Sequence, residues 1–167
     1  SVDSGSEHAG VTAADGTFRI RVQPNQNFVV SYAVGPIAQY VPHTFDRSEA
    51  TVFFVGSGQT VRVRDRAVAL SGMTGRLTDA AGAPAGNVNV SFINVDTIAE
   101  SETSTLADGT YDFSGLLAPG RYKVRFTAPG GSQYAYRQPD YAAADIITLA
   151  PGQTAVVDDQ LLWVPTA

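Results

Sequence analysis

The stretch Thr12-Ala-Ala-Asp-Gly-Thr-Phe18 returns as Thr105-Leu-Ala-Asp-Gly-Thr-Tyr111, with Gly16 and Gly109 standing 93 residues apart. Further along, Gln39-Tyr40 returns as Gln133-Tyr134 and Gly58-Gln-Thr60 as Gly152-Gln-Thr154, now at a spacing of 94 residues. One single-residue insertion or deletion near Pro24 and Pro119 reconciles the two spacings. Even Ser1-Val2-Asp3 falls on Asn94-Val95-Asp96. A duplicated unit of this length restricts the chain more than any composition does, because one architecture has to serve both copies. The repeat places a first copy over residues 1–70 and a second over 71–167, joined through the short stretch Leu70-Ser-Gly72.

Both copies alternate apolar and polar residues with a period of two, the pattern of half-buried strands. Phe18, Ile20 and Val22 alternate with Arg19 and Arg21, and Phe28, Val30 and Tyr32 repeat the pattern. In the second copy Val88, Val90 and Phe92 alternate with Asn87, Asn89 and Ser91, while Tyr122, Val124 and Phe126 alternate with Arg121, Lys123 and Arg125. Between the runs stand Asp15-Gly16, Asp108-Gly109, Pro119-Gly120, Pro129-Gly130 and Pro151-Gly152, which are turn signals because Gly supplies positive φ and Pro presets φ. No segment sustains a helical period; Tyr141–Asp145 is Ala-rich but short and uncapped. The second copy reads as seven antiparallel strands near 73–78, 87–93, 102–106, 110–114, 121–127, 144–149 and 155–162. The chain is expected to be all-β, with each copy a β-sandwich.

Charge and composition then remove function classes. The formal charge is −5, and ten of the eleven basic residues are Arg placed singly, which disfavours nucleic acid because phosphate binding needs a clustered basic face. Apolar runs such as Val52-Phe-Phe-Val55 are far too short to span a bilayer, so no membrane insertion is expected. With no Cys, disulfides, thiolate metal sites and Cys nucleophiles are excluded together.

The string Ser71-Gly-Met-Thr-Gly-Arg-Leu-Thr-Asp79, followed by Gly82-Ala-Pro84, Val88-Asn-Val90, Thr105-x-x-Asp108-Gly-x-Tyr111-x-Phe113 and Leu117-x-Pro119-Gly120-x-Tyr122-x-Val124, resembles the carboxypeptidase regulatory-like and Cna-B-like repeats. The resemblance covers residues 71–162, and residues 1–70 match only from the third strand onward. It implies prealbumin-like, Greek-key sandwiches of seven strands in tandem, the first lacking its first two strands. Such modules occur along bacterial surface and secreted proteins as stalks, adhesin modules, enzyme appendages and carbohydrate-binding units, so the resemblance marks a fold before a function.

Each stretch that carries chemistry has a plain structural reading beside it. Some Cna-B-like domains form an internal Lys to Asn/Asp cross-link; here Lys123 is the only lysine, and alternation sends it to the outer face as an ordinary solvated side chain. His43, Asp46 and Ser48 match no nucleophile or metal spacing, since the second copy has Arg137, Asp140 and Ala142 in their places. His8 is equally isolated. Asp3, Glu7 and Asp15, echoed by Asp96, Glu100 and Asp108, could offer oxygens to Ca²⁺, with Asp3, Asp15, Asp96 and Asp108 the weak candidate ligands, although Asp-Gly pairs are more often plain turns. Tyr40, Tyr134, Tyr136 and Tyr141 fall in a loop-like stretch of each copy and are the candidate ligand-binding residues, because exposed rings stack on sugar faces. Trp163 reads as an inter-domain contact.

The expectation drawn from these features is a non-catalytic structural module, a stalk, adhesin or surface-fibre repeat, within a larger bacterial extracellular or cell-surface protein. It needs no cofactor. The alternative is a carbohydrate-binding accessory module of a secreted glycoside hydrolase. Ser1 aligns just past the strand Val88–Ile93, which leaves the first copy with an open edge. The expected partners are therefore other copies or neighbouring repeats joined by strand pairing, with glycans second.

Overall fold

In the computed structural model, which describes residues 1–166, the chain is all-β and divides into two units, Ser1–Val68 and Ala69–Ala167. The second unit carries strands β5 (Ser71–Thr78), β6 (Asn89–Asn94), β7 (Glu100–Ser104), β8 (Thr110–Leu117), β9 (Gly120–Ala128), β10 (Gly131–Tyr134), β11 (Ile147–Leu149), β12 (Thr154–Val156) and β13 (Asp159–Gln160). They form two sheets. In one, β7, β6, β9 and β10 run in that order, with β11 also on β9. In the other, β5 is central, with β8 antiparallel to it and β12 and β13 parallel to it.

Period-two alternation sends Val90, Phe92, Val124 and Phe126 from the first sheet and Met73, Leu77, Tyr111 and Val157 from the second into one core. Phe92 stacks on Phe113 at 4.9 Å between ring centroids, and Tyr111 meets Phe126 edge-on at 6.4 Å. The β5 strand runs so close to its neighbours that side chains are excluded at two points. A Cβ on Gly72 would lie 2.3 Å from the Phe113 carbonyl oxygen, and one on Gly75 would lie 2.1 Å from that of Val157.

This differs from the sequence expectation in three respects. The stretch 155–162 is broken into β12 and β13, which pair with β5 in parallel rather than antiparallel, because alternation fixes a strand's faces and says nothing of its direction. A further strand, β10, lies in the stretch read as a loop. The stretch 144–149 is strand only at β11.

The first unit has less regular structure. Its strands β1 (Gln26–Phe28), β2 (Ser31–Val34), β3 (Ile37–Tyr40) and β4 (Phe53–Val55) form two separate two-stranded ladders, β1 with β4 and β2 with β3. These ladders reproduce the second unit's register at the 94-residue spacing. Gln26 faces Val55 as Gly120 faces Leu149, and Ser31 faces Tyr40 as Arg125 faces Tyr134. The expected strand Phe18–Val22 is not formed, and Phe18 is 42% exposed where its counterpart Tyr111 is buried. The physical reason is the missing ladder partner. Tyr111 lies on β8, which is held by β5, and no described residue of the first unit takes the part of β5.

Candidate functional site

The side chains shared by the two units build one hydrogen-bonded frame twice. Gln133, on β10, is buried; its Oε1 accepts from the Leu162 amide at 2.8 Å and its Nε2 donates to the Gln160 carbonyl at 3.0 Å. Gln39, on β3 and equally buried, accepts from the Val68 amide at 2.8 Å and donates to the Val68 carbonyl at 2.7 Å. Asp159 accepts from the Arg137 amide at 3.1 Å, as Asp65 does from the His43 amide at 3.1 Å. Both donors have positive φ. Gln153 and Gln59 close matching turns, each Oε1 accepting at 2.9 Å from the backbone amide of Ala150 or Gly56. A Gln side chain can satisfy a donor and an acceptor of the same peptide segment at once, which is why an amide is kept at a buried position.

Each of the candidate calcium ligands accepts a hydrogen bond within its own unit. Asp15 accepts from the Thr17 amide at 3.0 Å, and Asp108 from the Thr110 amide at 3.0 Å. Asp3 accepts from the Asn27 amide at 2.6 Å, and Asp96 is paired with Arg121. Among the described residues no group of three or more His, Cys, Asp or Glu is placed to hold a metal ion. His43 turns to Asp65 rather than to Asp46; Asp46 instead caps the short 3-10 turn Arg47–Glu49 by accepting from the Ser48 amide at 2.7 Å.

The four tyrosines do not make one platform. Tyr134 is half-buried on β10, its ring perpendicular to that of Tyr141 at 6.0 Å, while Tyr136 is exposed and Tyr40 takes the position of Tyr134 in the first unit. Lys123 corrects the expectation of a solvated lysine. It is 7% exposed, its Nζ donating to the Tyr141 carbonyl at 2.5 Å and lying 4.1 Å from the centre of that ring. Alternation does turn it away from the core, but the segment carrying Tyr141 folds over that outer face. The ring then offers the ammonium a cation-π contact in place of water. Trp163 also departs from expectation. Its indole donates to the Pro129 carbonyl at 3.0 Å, and it packs on Gly130 and Gly131 of its own unit.

Two hollows are open at the surface. One, of about 330 Å³, is lined by Gly86, Asn87, Ala128, Pro129, Pro165 and Thr166, with no ionisable side chain. The other, of about 460 Å³, lies in the first unit between Val11, Thr12, Ala13, Thr17, Phe18 and Arg19. Neither lining brings an acid and a base together, so neither supplies the paired groups of general acid–base chemistry. Among the described residues no helix is long and apolar enough to cross a membrane.

The sequence profile of the carboxypeptidase regulatory-like domain matches residues 72–162, more than half of the chain. The chain belongs to the carboxypeptidase regulatory-like domain family. The match begins within β5 and ends two residues past β13, so it encloses the two sheets of the second unit. Membership describes a regulatory-type module rather than a catalytic one. No curated protein matches the chain.

The duplicated frame carries a pH signature. Burial opposes ionisation of Asp65, but hydrogen bonds from the His43 and Arg66 amides and the Tyr32 hydroxyl outweigh it and hold the carboxyl below its ordinary 3.8. Tyr32 is pushed up to about 12, by burial first and then by Asp65. A depressed carboxyl contributes stability that is full above its unfolded value and lost as pH falls through the folded one; a raised phenol contributes stability that is full below its unfolded value and lost as pH rises. Denaturant unfolding of the first unit is therefore expected to be flat around neutrality and to weaken below about pH 4 and above about pH 10. Asp65→Asn should remove part of the acid limb and Tyr32→Phe part of the alkaline limb, both read from unfolding midpoints against pH.

Proposed function

We propose that this chain is a non-catalytic structural module, a pair of tandem prealbumin-type Greek-key sandwiches from a stalk, adhesin or fibre of a larger bacterial extracellular protein. In this reading the first sandwich is short of its first two strands and is completed by strand pairing. The observation that supports it is the frame built twice around Gln39 and Gln133, whose side-chain amides bond backbone groups of their own unit. Of the four Asp named as calcium candidates, Asp3, Asp15 and Asp108 accept from backbone amides of their own unit and Asp96 pairs with the Arg121 side chain.

The rival reading, a carbohydrate-binding accessory module, rests on Tyr136 and Tyr141, the more exposed of the four rings. Affinity electrophoresis of the full chain through gels containing soluble polysaccharides separates the two. Unchanged mobility in every gel is the expected result. Retardation that is lost in Tyr136→Ala would put the sugar-binding reading in its place.

A further inference from the structure

The outward side chains of β9 include a row of three cations, Arg121, Lys123 and Arg125. Arg121 pairs with Asp96, and Arg125 pairs with Glu100. Between them, Lys123 has no carboxylate partner among the described residues. Its ammonium is held instead by the carbonyl and the ring of Tyr141, both supplied by the segment that joins β10 to β11. Ile93, directly opposite Lys123 on β6, shares that outer face and is 6% exposed, so the cover extends over both side chains.

Residues 139–146 are otherwise bonded to themselves. The Ala143 amide donates to Asp140 Oδ1 at 2.9 Å and the Ala144 amide to the Asp140 carbonyl at 3.1 Å, which makes one compact turn. Ala144 is buried, a contact of a single methyl group. Among the described residues, the bond from Lys123 is the one hydrogen bond that ties this stretch to the rest of its unit.

The first unit closes the same stretch by other means. Its Tyr40–Thr44 bridge repeats the Tyr134–Gln138 bridge, and Asp46 caps a turn as Asp140 does. There the Thr51 amide donates to the Val41 carbonyl at 2.7 Å, a backbone tie across the base of the loop. Among the described residues, their counterparts Asp145 and Ala135 make no such bond. Val29 and Arg47 in turn stand where the second unit has Lys123 and Tyr141. A backbone tie in one copy is replaced by a side chain in the other.

We infer that residues 139–146 are a strap on the second unit, hinged at β10 and β11, which Lys123 latches shut and which opens while the sandwich stays folded. The hinges are fixed on β9: the Ala135 amide donates to the Val124 carbonyl at 3.0 Å, and Ile147 is in register with Tyr122. Opening leaves the core alone, because Tyr122, Val124 and Phe126 face the other side of β9. It uncovers Ile93 and the Lys123 ammonium, and it parts the ring of Tyr141 from that of Tyr134. Lys123 is the only lysine of the chain, so the strap gates its one side-chain amine. An activated acyl ester reaches that nitrogen only with the strap lifted. The nitrogen then bonds the acyl carbon, the alkoxide departs with its electron pair, and the amine gives up a proton to solvent. The amide so formed has lost the charge, and with it the cation-π contact that closes the latch.

The test uses the full chain, acetylated with an N-hydroxysuccinimide ester and read at Lys123 by peptide mass spectrometry, beside hydrogen exchange. Lys123 in the native chain should label slower than in the urea-unfolded chain by roughly tenfold or more, yet be less protected than the Phe92 and Val124 amides of the core strands. Tyr141→Ala should speed labelling about tenfold, whereas Tyr141→Phe, which keeps the ring and the carbonyl, should leave it unchanged. Lys123→Met should speed exchange across 140–145 by about tenfold and leave β6 and β9 as they were. Labelling as fast as in the unfolded chain would show that nothing covers the amine. Protection equal to that of the core amides would show that it is reached only by unfolding. Either result, a Tyr141→Ala chain that labels like the native one, exchange across 140–145 that Lys123→Met leaves unchanged, or faster exchange in β6 and β9 of Lys123→Met would overturn the inference.

Discussion

Gly75→Val is expected to unfold the second unit. The new Cβ would lie 2.1 Å from the Val157 carbonyl oxygen and 2.8 Å from the Tyr111 hydroxyl, itself donating to that carbonyl at 2.7 Å. Turning the Tyr111 side chain aside would not relieve the clash, because the carbonyl belongs to the segment between β12 and β13 that pairs with β5. Relief requires β5 and that segment to separate, which forfeits the sheet. The cost should exceed the ~1–3 kcal/mol of ordinary overpacking and reach about 4 kcal/mol or more, a large part of the stability of a domain this size. Gly152→Ala is the matched control. That residue has φ +75 but only ordinary contact, 3.5 Å to the Ala69 Cβ, so only the left-handed backbone cost of about 1 kcal/mol applies. Urea unfolding followed by tyrosine and tryptophan fluorescence reads both, and a Gly75→Val chain that keeps a native transition would refute the close-packing argument.

Gln133→Leu should cost about 3 kcal/mol although the side chain keeps its bulk. Leucine leaves the Leu162 amide and the Gln160 carbonyl without their partner, and stranded backbone groups lose about 1–3 kcal/mol each when water cannot replace the bond. The same change at Gln39 strands the amide and carbonyl of Val68 and should destabilise the first unit comparably. Amide exchange at Leu162 and Val68 reports each site directly. If Gln133→Leu is neutral while Gln133→Ala is not, the side chain matters as filler and the frame interpretation fails.

The two glutamines also show how far the sequence could be read. Their repetition is visible as Gln39-Tyr40 and Gln133-Tyr134, but a polar residue in a polar stretch gives no burial signal, so the stretch that forms β10 reads as loop. The apolar strands β6 and β9 announce themselves through Val90, Phe92, Val124 and Phe126. The same alternation at Phe18, Ile20 and Val22 expects a strand the first unit does not form, because alternation states which face would be buried and cannot supply the neighbour that buries it. Lys123 fails for a related reason: the rule gives its face, while the cover comes from Tyr141, eighteen residues away. Trp163, just past the last strand, reads as an inter-domain contact, yet Gly130 and Gly131 of its own unit leave a side-chain-free shelf that an indole fills.

The parallel placement of β12 and β13 on β5 has a mechanical meaning. β5 opens the second unit and β13 ends its last ladder, so tension applied through the chain draws these strands along their lengths in opposite directions. The bonds between them, from Gly72 with Gln153 at one end to Leu161 with Thr78 at the other, then bear the load side by side and must break together. An antiparallel hairpin pulled from its two free ends would open one bond at a time. Resistance under tension is set by the rate of that collective rupture rather than by equilibrium stability. A unit closed in this way can be only ordinarily stable at rest and still hold as a link in a tethered chain.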